Sequence, residues 1–258
     1  MASSWIDGIA VEVSGEGPPV LCIHGLGGSS NVWTPLMPAL AGHQVIRFDL
    51  PGSARSPLAD EKLSIDVFVR AAHKVLAGLG IGRVTVLAHS LGTVVAQHFA
   101  VAHPDQVDGL ILFGPLAAPP EQGRPGILAR AKLARDGLPA MQEIADAIVA
   151  GATGKETKAH NSLALALVRE CVMRQPAEGY AQSCEALAAA QPAPVEQLTV
   201  PVLLVTGDQD GVAPAAAVQA LAARIGNSSV RVLEHCGHWT TFEKTAECAA
   251  EIEKFFQQ

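Results

Sequence analysis

Short apolar runs alternate with helix-like segments along most of this 258-residue chain. In the helix-like segments, apolar residues recur at intervals of three and four, as over residues 64–79, 215–225 and 241–256. Buried strands that alternate with amphipathic helices form parallel sheets whose two faces are both covered. The pattern therefore predicts an α/β fold with a mostly parallel central sheet flanked by helices. The strand-like runs are residues 20–24, 44–48, 84–88, 109–113, 202–206 and 230–233.

The alternation stops between Pro115 and Pro201. Proline and glycine cluster at both ends of this segment, in GPLAAPPEQGRPG and in QPAP, and such clusters are typical of loops. The part between them is rich in alanine and keeps a helical spacing of apolar residues, over 127–150, 156–174 and 178–190. We therefore expect a core of residues 1–116 and 195–258, with a helical cap of residues 117–194 inserted into it.

Charge and cysteine content argue against several classes of protein. The chain has 18 basic and 25 acidic residues, a net charge of −7 and no basic run, so we expect no nucleic-acid partner. Five scattered cysteines without C-x-x-C spacing favour a reducing, cytoplasmic location. There is no signal-peptide pattern and no apolar run of the ~18 to 20 residues that a membrane span needs, so we expect no membrane association. The oligomeric state stays open, with a homodimer as one alternative.

At Ser90 the pattern of apolar residues changes from that of a strand to that of a helix. In VTVLAHSLGTVVAQHFA, residues 84–100, the stretch before Ser90 is strand-like and the stretch after it has helical spacing. Ser90 is therefore expected at a turn from a strand to a helix, flanked by the small residues Ala88 and Gly92. Such a crowded turn is typical of a nucleophile elbow, although a serine at this position can also serve only as a helix cap.

Two later segments contain the groups that would activate a serine. GDQDGVAP follows one strand-like run and has two aspartates, Asp208 and Asp210, while EHCGHW follows another and has two histidines, His235 and His238. Serine, aspartate and histidine in this order along the chain, at strand ends that converge on one crevice, favour nucleophilic catalysis. His238 follows a glycine in a loop and is the preferred base, whereas His235 is expected to have a structural role. Either aspartate could also be a turn residue.

The chain resembles the α/β-hydrolase superfamily over essentially its whole length. VLCIHGLGGSSNVW resembles the oxyanion loop of the family, RFDLPGSARS its Asp-x-x-Gly-x-Gly-x-Ser turn, and GDQDGVAP and CGHW its acid and histidine loops. The resemblance implies that Ser90 is the nucleophile, His238 the base and Asp210 the acid. It also implies an oxyanion hole formed by the backbone N–H groups of Leu26 and Leu91.

The chain departs from the family pattern at two alanines, Ala88 in the elbow and Ala54 in the Asp-x-x-Gly-x-Gly-x-Ser turn, where the family has glycine. His24 and His89 flank the expected site, and we interpret them as packing and loop-shaping residues, with a substrate contact by His89 as an alternative. His235-x-x-His238 lacks a third ligand at a suitable spacing, so we expect neither a metal nor a cofactor.

A serine at the elbow indicates acyl transfer, whereas the haloalkane dehalogenases and epoxide hydrolases of this family have aspartate there. The segment LARAKLARDGLPAMQEIADAIV resembles the cap of 3-oxoadipate enol-lactonase-like hydrolases. The expected partner is therefore a small-molecule ester or lactone, including a carboxylated enol-lactone. Arg130 lies beside the inward face of a cap helix, where its guanidinium could bind a substrate carboxylate. The alternatives are a C–C bond hydrolase of a vinylogous diketone and a weakly catalytic ligand receptor.

Overall fold

The structure is a computed structural model that describes residues 2–257, and these form one eight-stranded sheet with helices on both faces. The strand order is β1-β2-β4-β3-β5-β6-β7-β8. β2 pairs antiparallel with both β1 and β4, and the strands from β3 to β8 are parallel to one another. Their bounds are β1 Ala2–Ile6, β2 Ile9–Ser14, β3 Pro19–Ile23, β4 Gln44–Phe48, β5 Val84–His89, β6 Val107–Phe113, β7 Val202–Gly207 and β8 Ser228–Leu233.

This architecture confirms the α/β-hydrolase fold class that the resemblance implied. The six strand-like runs of the sequence coincide with β3 to β8, whereas β1 and β2 were not predicted. Both faces of the central strands are buried, since Leu21 and Ile23 of β3 belong to one apolar cluster while Val20 and Cys22 belong to another. This two-sided burial is the reason for continuous apolar runs rather than alternation.

Helices of the core cover these two faces. On one face lie α1 (Ile65–Gly78), α2 (Leu91–Ala102) and α8 (Ala215–Ala222), and on the other lie α10 (Thr245–Phe256) and a 3-10 segment, Ser30–Leu40. The predicted helix over 64–79 is α1, which begins after Ser64, whose hydroxyl accepts the N–H of Val67 at 3.3 Å. The predicted helix over 241–256 is divided, because α9 covers Thr240–Glu243 and α10 begins at Thr245.

Five helices, which we call the cap helices, lie between β6 and β7 and therefore within the segment of the predicted insertion. They are α3 Arg124–Ala134, α4 Leu138–Ala152, α5 Lys155–His160, α6 Ser162–Met173 and α7 Ala177–Ala189. The stretch 127–150, which was expected to be helical, is divided into two helices, because Gly137 has φ +88° and ends the helical path between α3 and α4. Likewise, Asn161 separates α5 from α6, where its side chain accepts the N–H of Ala164.

Across residues 2–257, every helix is either too short or too polar to cross a lipid bilayer.

Candidate active site

Ser90 occupies a sharp turn between β5 and α2. Its backbone has φ +53° and ψ −120°, a conformation that non-glycine residues rarely adopt, and its N–H donates to the carbonyl of Phe113 at 2.9 Å. The helix that follows packs closely on β3, since a Cβ added at Gly92 would lie 2.4 Å from the carbonyl oxygen of Ile23. Glycine at position 92 is therefore required for this turn, whereas Ala88 fits in place of the family's first glycine as a buried strand residue.

Ser90, His238 and Asp210 form one hydrogen-bonded chain. The Nε2 atom of His238 lies 2.8 Å from Ser90 Oγ, and its Nδ1 atom lies 2.8 Å from Asp210 Oδ2. The other carboxylate oxygen of Asp210 accepts the N–H groups of Val212 and Ala213 at 2.8 and 2.7 Å. Burial raises the pKa of Asp210, but the adjacent His238 and these N–H groups outweigh burial, so the pKa of Asp210 is lowered overall.

The alternative aspartate and histidine lie outside this chain of hydrogen bonds. Asp208 accepts the N–H of Cys236 at 3.0 Å and so stabilises the turn that precedes His238. His235 is exposed and has φ +55°, a left-handed backbone conformation that fits a turn. The structure therefore brings together the residues that the family resemblance selected, Asp210 and His238, and assigns turn roles to Asp208 and His235.

The arrangement suits proton removal from a hydroxyl. An ionised Asp210 accepts a hydrogen bond from Nδ1–H of His238, so the proton stays on Nδ1 and the lone pair of Nε2 is directed at the hydroxyl of Ser90. A serine hydroxyl is a weak nucleophile unless such a base takes its proton. The three side chains are nearly inaccessible to solvent, and this burial strengthens each electrostatic interaction between them.

The two residues that are expected to form an oxyanion hole both lie beside Ser90. Leu91 is the first residue of α2, so its N–H has no partner within the helix and lies at the positive end of the helix dipole. Leu26 lines the same cavity as Ser90. Its loop is held by His24, which donates to the carbonyl of Gly25 at 2.9 Å and accepts the N–H of Leu50 at 2.9 Å.

His89 supports the loop of the base. Its Nε2–H donates to the backbone carbonyl of His238 at 2.9 Å, and its ring packs 5.1 Å from the ring of His238 and 5.3 Å from that of Trp239. Burial, with the nearby His238 as a second cause, lowers the pKa of His89 to about 3. His89 therefore stays neutral at physiological pH and can hold the carbonyl of His238 without adding a charge.

A cavity of about 600 Å³ opens above Ser90 and His238, between the core and the cap helices. Its wall is mainly apolar, and the carboxylate and guanidinium groups in it are those of Glu143 and Arg130. Arg130 is half-buried and lines this cavity, which agrees with the position that its helical spacing predicted. Arg135 points elsewhere and forms ion pairs with Glu178 and Glu185 at 2.8 and 2.7 Å. The larger apolar side chains of the lining are Leu26, Leu116, Ile127, Leu133, Ile144, Ile148, Leu187, Val212 and Trp239.

Gln175 is a contact of the oxyanion loop that the sequence analysis missed. It lies between α6 and α7 of the cap, is 7% exposed, and donates through Nε2 to the carbonyl of Gly28 at 3.0 Å. Its Oε1 accepts the N–H of Ala54 at 3.1 Å. Ala54 has φ +48°, so this turn keeps the left-handed conformation in which the family has glycine. No motif marks Gln175, because its partners in the core are backbone atoms distant in sequence.

Glu243 was also missed. It follows the histidine loop, and its buried carboxylate accepts the N–H of Trp239 in that loop and the N–H of Gly154 in the cap.

Within residues 2–257, no three histidine, cysteine, aspartate or glutamate side chains are grouped as ligands of one metal ion. Both ring nitrogens of His238 are already hydrogen-bonded to Asp210 and Ser90.

Comparison with known protein families gives two matches. A family model described as alpha/beta hydrolase fold matches residues 18–140, and a second, described as TAP-like protein, matches residues 170–258. Together they cover the strand that carries the elbow, part of the cap, and the acid and histidine loops.

Individual proteins are similar over nearly the whole chain. A 2-hydroxy-6-oxononadienedioate/2-hydroxy-6-oxononatrienedioate hydrolase of Pseudomonas putida is 28% identical over 89% of this chain and 84% of its own length. Among solved structures, the enol-lactonase of Burkholderia xenovorans LB400 has a TM-score of 0.90 at 23% identity, with 100% of both chains covered. A thermophilic esterase of Thermogutta terrifontis has a TM-score of 0.90 at 22% identity, covering 100% of this chain and 98% of its own. At these identities, the structural similarity shows a shared fold and no more.

Proposed function

Since this chain belongs to the α/β-hydrolase superfamily, we propose that it is a serine hydrolase that cleaves a small ester or lactone through an acyl-enzyme on Ser90. The observation that carries this proposal is the hydrogen-bonded chain from Ser90 through His238 to Asp210, with 2.8 Å at each step, beside an apolar cavity. In this proposal Ser90 is the nucleophile, His238 the general base and acid, and Asp210 the group that orients the imidazole.

The first half of the reaction forms the acyl-enzyme. Ser90 Oγ attacks the carbonyl carbon of the substrate while its proton passes to Nε2 of His238, and Asp210 stabilises the imidazolium that results. The carbonyl oxygen becomes negative and accepts the N–H groups of Leu26 and Leu91, which are fixed before the reaction begins. The imidazolium then gives its proton to the oxygen of the leaving group as the carbon–oxygen bond breaks.

The second half releases the acid. A water molecule replaces the leaving group, His238 takes one of its protons, and the hydroxide attacks the acyl carbon. Collapse of the second tetrahedral intermediate expels Ser90 Oγ, which recovers its proton from His238. For a lactone, the leaving hydroxyl stays attached to the acyl group, so the single product is a hydroxy acid, or its keto tautomer when the substrate is an enol-lactone.

The cavity supports a proposal for two features of the substrate. Its apolar wall and volume of about 600 Å³ fit a hydrophobic group larger than acetyl. Arg130 in the same wall supports a carboxylate as a second feature, as in a carboxylated enol-lactone. The fold shared with an enol-lactonase and an esterase is compatible with either kind of substrate.

A C–C bond hydrolase is the second candidate. The relative from Pseudomonas putida, 28% identical, acts according to its name on a 2-hydroxy-6-oxo dienoic diacid, which is a vinylogous diketone. The same serine, histidine and aspartate could serve such a cleavage, but the leaving group would then be carbon, and its protonation would yield a dienoate rather than an alcohol. Product analysis distinguishes the two reactions.

The test begins with p-nitrophenyl acetate, butyrate and octanoate, a carboxylated enol-lactone and a 2-hydroxy-6-oxo dienoate. We expect steady turnover of an ester or the lactone, labelling of Ser90 by a fluorophosphonate, and loss of at least ~10³-fold in kcat in Ser90→Ala. Turnover of the dienoate alone would favour the second candidate. A single burst without turnover would indicate a ligand receptor, and labelling at another serine with activity retained in Ser90→Ala would refute the proposal.

A further inference from the structure

The turn that carries His238 is packed directly against one corner of the cap, residues 152–157, where α4 ends and α5 begins. The N–H of His238 donates to the carbonyl of Ala152 at 2.8 Å. The two backbones approach so closely that a Cβ added at Gly237 would lie 2.6 Å from the nitrogen of Gly154. The position of the histidine loop therefore depends on the cap as well as on β8, the strand that precedes it.

The carboxylate of Glu243 joins the two segments. Toward the cap, its Oε2 accepts the N–H of Gly154 at 2.6 Å and the hydroxyl of Thr157 at 2.8 Å. Toward the histidine loop, Oε2 accepts the N–H of Gly237 at 3.1 Å and Oε1 accepts the N–H of Trp239 at 3.0 Å. One buried carboxylate thus holds the residues on both sides of His238.

Four donors surround the carboxylate of Glu243, so this position requires a side chain with two oxygens that both accept hydrogen bonds. Hydrogen bonds to a charged group are stronger than those between neutral groups, and a buried carboxylate is stable only when such donors surround it. We propose that Glu243 is a positioning residue for His238, a role that rests on the function proposed above. It keeps the imidazole in hydrogen-bonding register with Ser90 as long as residues 152–157 of the cap are docked.

The geometry makes activity sensitive to this contact. Nε2 of His238 lies 2.8 Å from Ser90 Oγ, and a displacement of the histidine loop would lengthen that distance directly. Glu243 does not line the cavity, so its loss should affect the rate of the chemical step more than the binding of substrate. Replacing a residue that only stabilised the fold would lower the melting temperature, but it would not lower kcat while leaving KM unchanged.

The decisive variant is Glu243→Gln, which keeps the size of the side chain. In either orientation its NH₂ group faces a backbone N–H, because an amide nitrogen cannot accept a hydrogen bond. With p-nitrophenyl butyrate at a temperature well below unfolding, we expect kcat to fall about 10- to 100-fold, as for a misplacement of about 1 Å, while KM changes by less than about 3-fold. Glu247→Gln, an exposed glutamate one helical turn further on, is the matched control and should behave as the wild type.

A second pair of variants separates the contact from folding. Thr157→Val removes one donor on the cap side and leaves both contacts to the histidine loop, so we expect kcat to fall about 2- to 10-fold. Thr157→Ser retains the hydroxyl and should restore the wild-type kcat. If Glu243→Gln does not fold, this pair decides: equal kcat in Thr157→Val, Thr157→Ser and the wild type would overturn the proposal.

A readout without substrate keeps this proposal separate from the proposed function. The Nδ1 proton of His238 that bonds Asp210 can be followed by proton NMR and assigned through its loss in Asp210→Asn. We expect this resonance to broaden through faster exchange with water in Glu243→Gln and to stay sharp in Glu247→Gln. If the wild type hydrolyses no ester, the proposed function fails while this signal still tests the position of the histidine. An unchanged signal and unchanged kcat in Glu243→Gln would overturn the inference.

Discussion

Ser90 and His238 are 148 positions apart in sequence, yet Oγ of the serine lies 2.8 Å from Nε2 of the histidine. The contact exists because β5 and β8 are parallel strands of one sheet, so the loops at their carboxyl ends meet at the same edge. Asp210 follows β7, which lies between them, and therefore reaches the far side of the imidazole. The topology of the sheet, rather than any local sequence, produces this alignment.

The choice between the two aspartates can be tested by paired amide variants. In Asp210→Asn the side chain no longer requires a proton on Nδ1 of His238, which favours the wrong tautomer, and we expect kcat to fall by up to ~10⁴-fold. Asp208 accepts only backbone N–H groups, which an asparagine oxygen can also accept, so Asp208→Asn should keep kcat within about 3-fold of the wild type. Steady-state kinetics with one ester suffices, and a reversed order of the two variants would contradict the assignment.

Gln175 should affect the oxyanion hole through the loop of Leu26. Gln175→Met preserves the length of the side chain but removes the donor to Gly28 and the acceptor for Ala54. We expect kcat to fall about 10-fold with KM unchanged, because an oxyanion hole acts on the transition state and not on the bound substrate. Gln182→Met is the control, since Gln182 also joins the cap to the core but accepts the N–H of Leu63 instead. Equal losses in both variants would indicate a general weakening of the cap.

Most of the strands that the sequence predicted are buried on both faces, with the edge strand β8 as the exception. β3 to β8 contain apolar runs because most of them are buried on both faces. β2 was missed because Glu12 interrupts its apolar residues, and the reason appears only in the structure: Glu12 is buried and forms ion pairs with Arg47 and Arg55, each at 2.7 Å. A single sequence gives no indication that a charged residue will be neutralised by partners from β4 and the following turn.

The same distinction applies to the site. The contact between Ser90, Asp210 and His238 could be predicted, because the proposed chemistry requires particular residue types in a particular order. Gln175 and Glu243 could not, because they contact backbone atoms, which every residue has, and the cap brings these atoms near only in the folded state. The division of the cap into five helices was also missed, since the spacing of apolar residues stays helical across Gly137, where the backbone turns at φ +88°.

The buried His89 gives a prediction for stability against pH. Its pKa is lowered from 6.5 to about 3 by burial, so below pH 6.5 the unfolded chain binds a proton that the folded protein does not. Above pH 6.5 His89 is neutral in both states and does not affect the free energy of unfolding. As the pH falls from 6.5 toward 3, this free energy decreases by about 1.4 kcal/mol per pH unit, because the proton binds only to the unfolded chain. Between pH 6.5 and 5 the wild type should lose about 2 kcal/mol from this residue.

Urea unfolding at pH 7.5, 6.5, 5.5 and 5 measures this dependence. In His89→Gln the slope of unfolding free energy against pH should decrease by that amount, whereas His160→Gln, at an exposed position, should retain the slope of the wild type. His24, whose pKa burial also lowers, leaves a residual slope in all three proteins. An identical slope in His89→Gln and the wild type would show that His89 is accessible to protons in the folded state.

Arg130 provides the prediction for substrate charge. If its guanidinium binds a substrate carboxylate, Arg130→Ala should raise KM for a carboxylated lactone about 10- to 100-fold, the value of a hydrogen bond to a charged group, and leave an uncharged ester of similar size unaffected. Arg135→Ala is the control, because Arg135 follows the same helix but pairs with Glu178 and Glu185 away from the cavity.

Glu143 makes this test more selective, since it adds a negative charge to the same cavity wall. Glu143→Gln should lower KM for the carboxylated lactone, because it removes the repulsion of a like charge, and should leave KM for the uncharged ester unchanged. Opposite effects of Arg130→Ala and Glu143→Gln on one substrate, with neither affecting the other substrate, would establish that the cavity wall recognises a carboxylate. Equal effects of Arg130→Ala on both substrates would show that Arg130 only supports α3, and a wild-type preference for uncharged esters would refute carboxylate recognition.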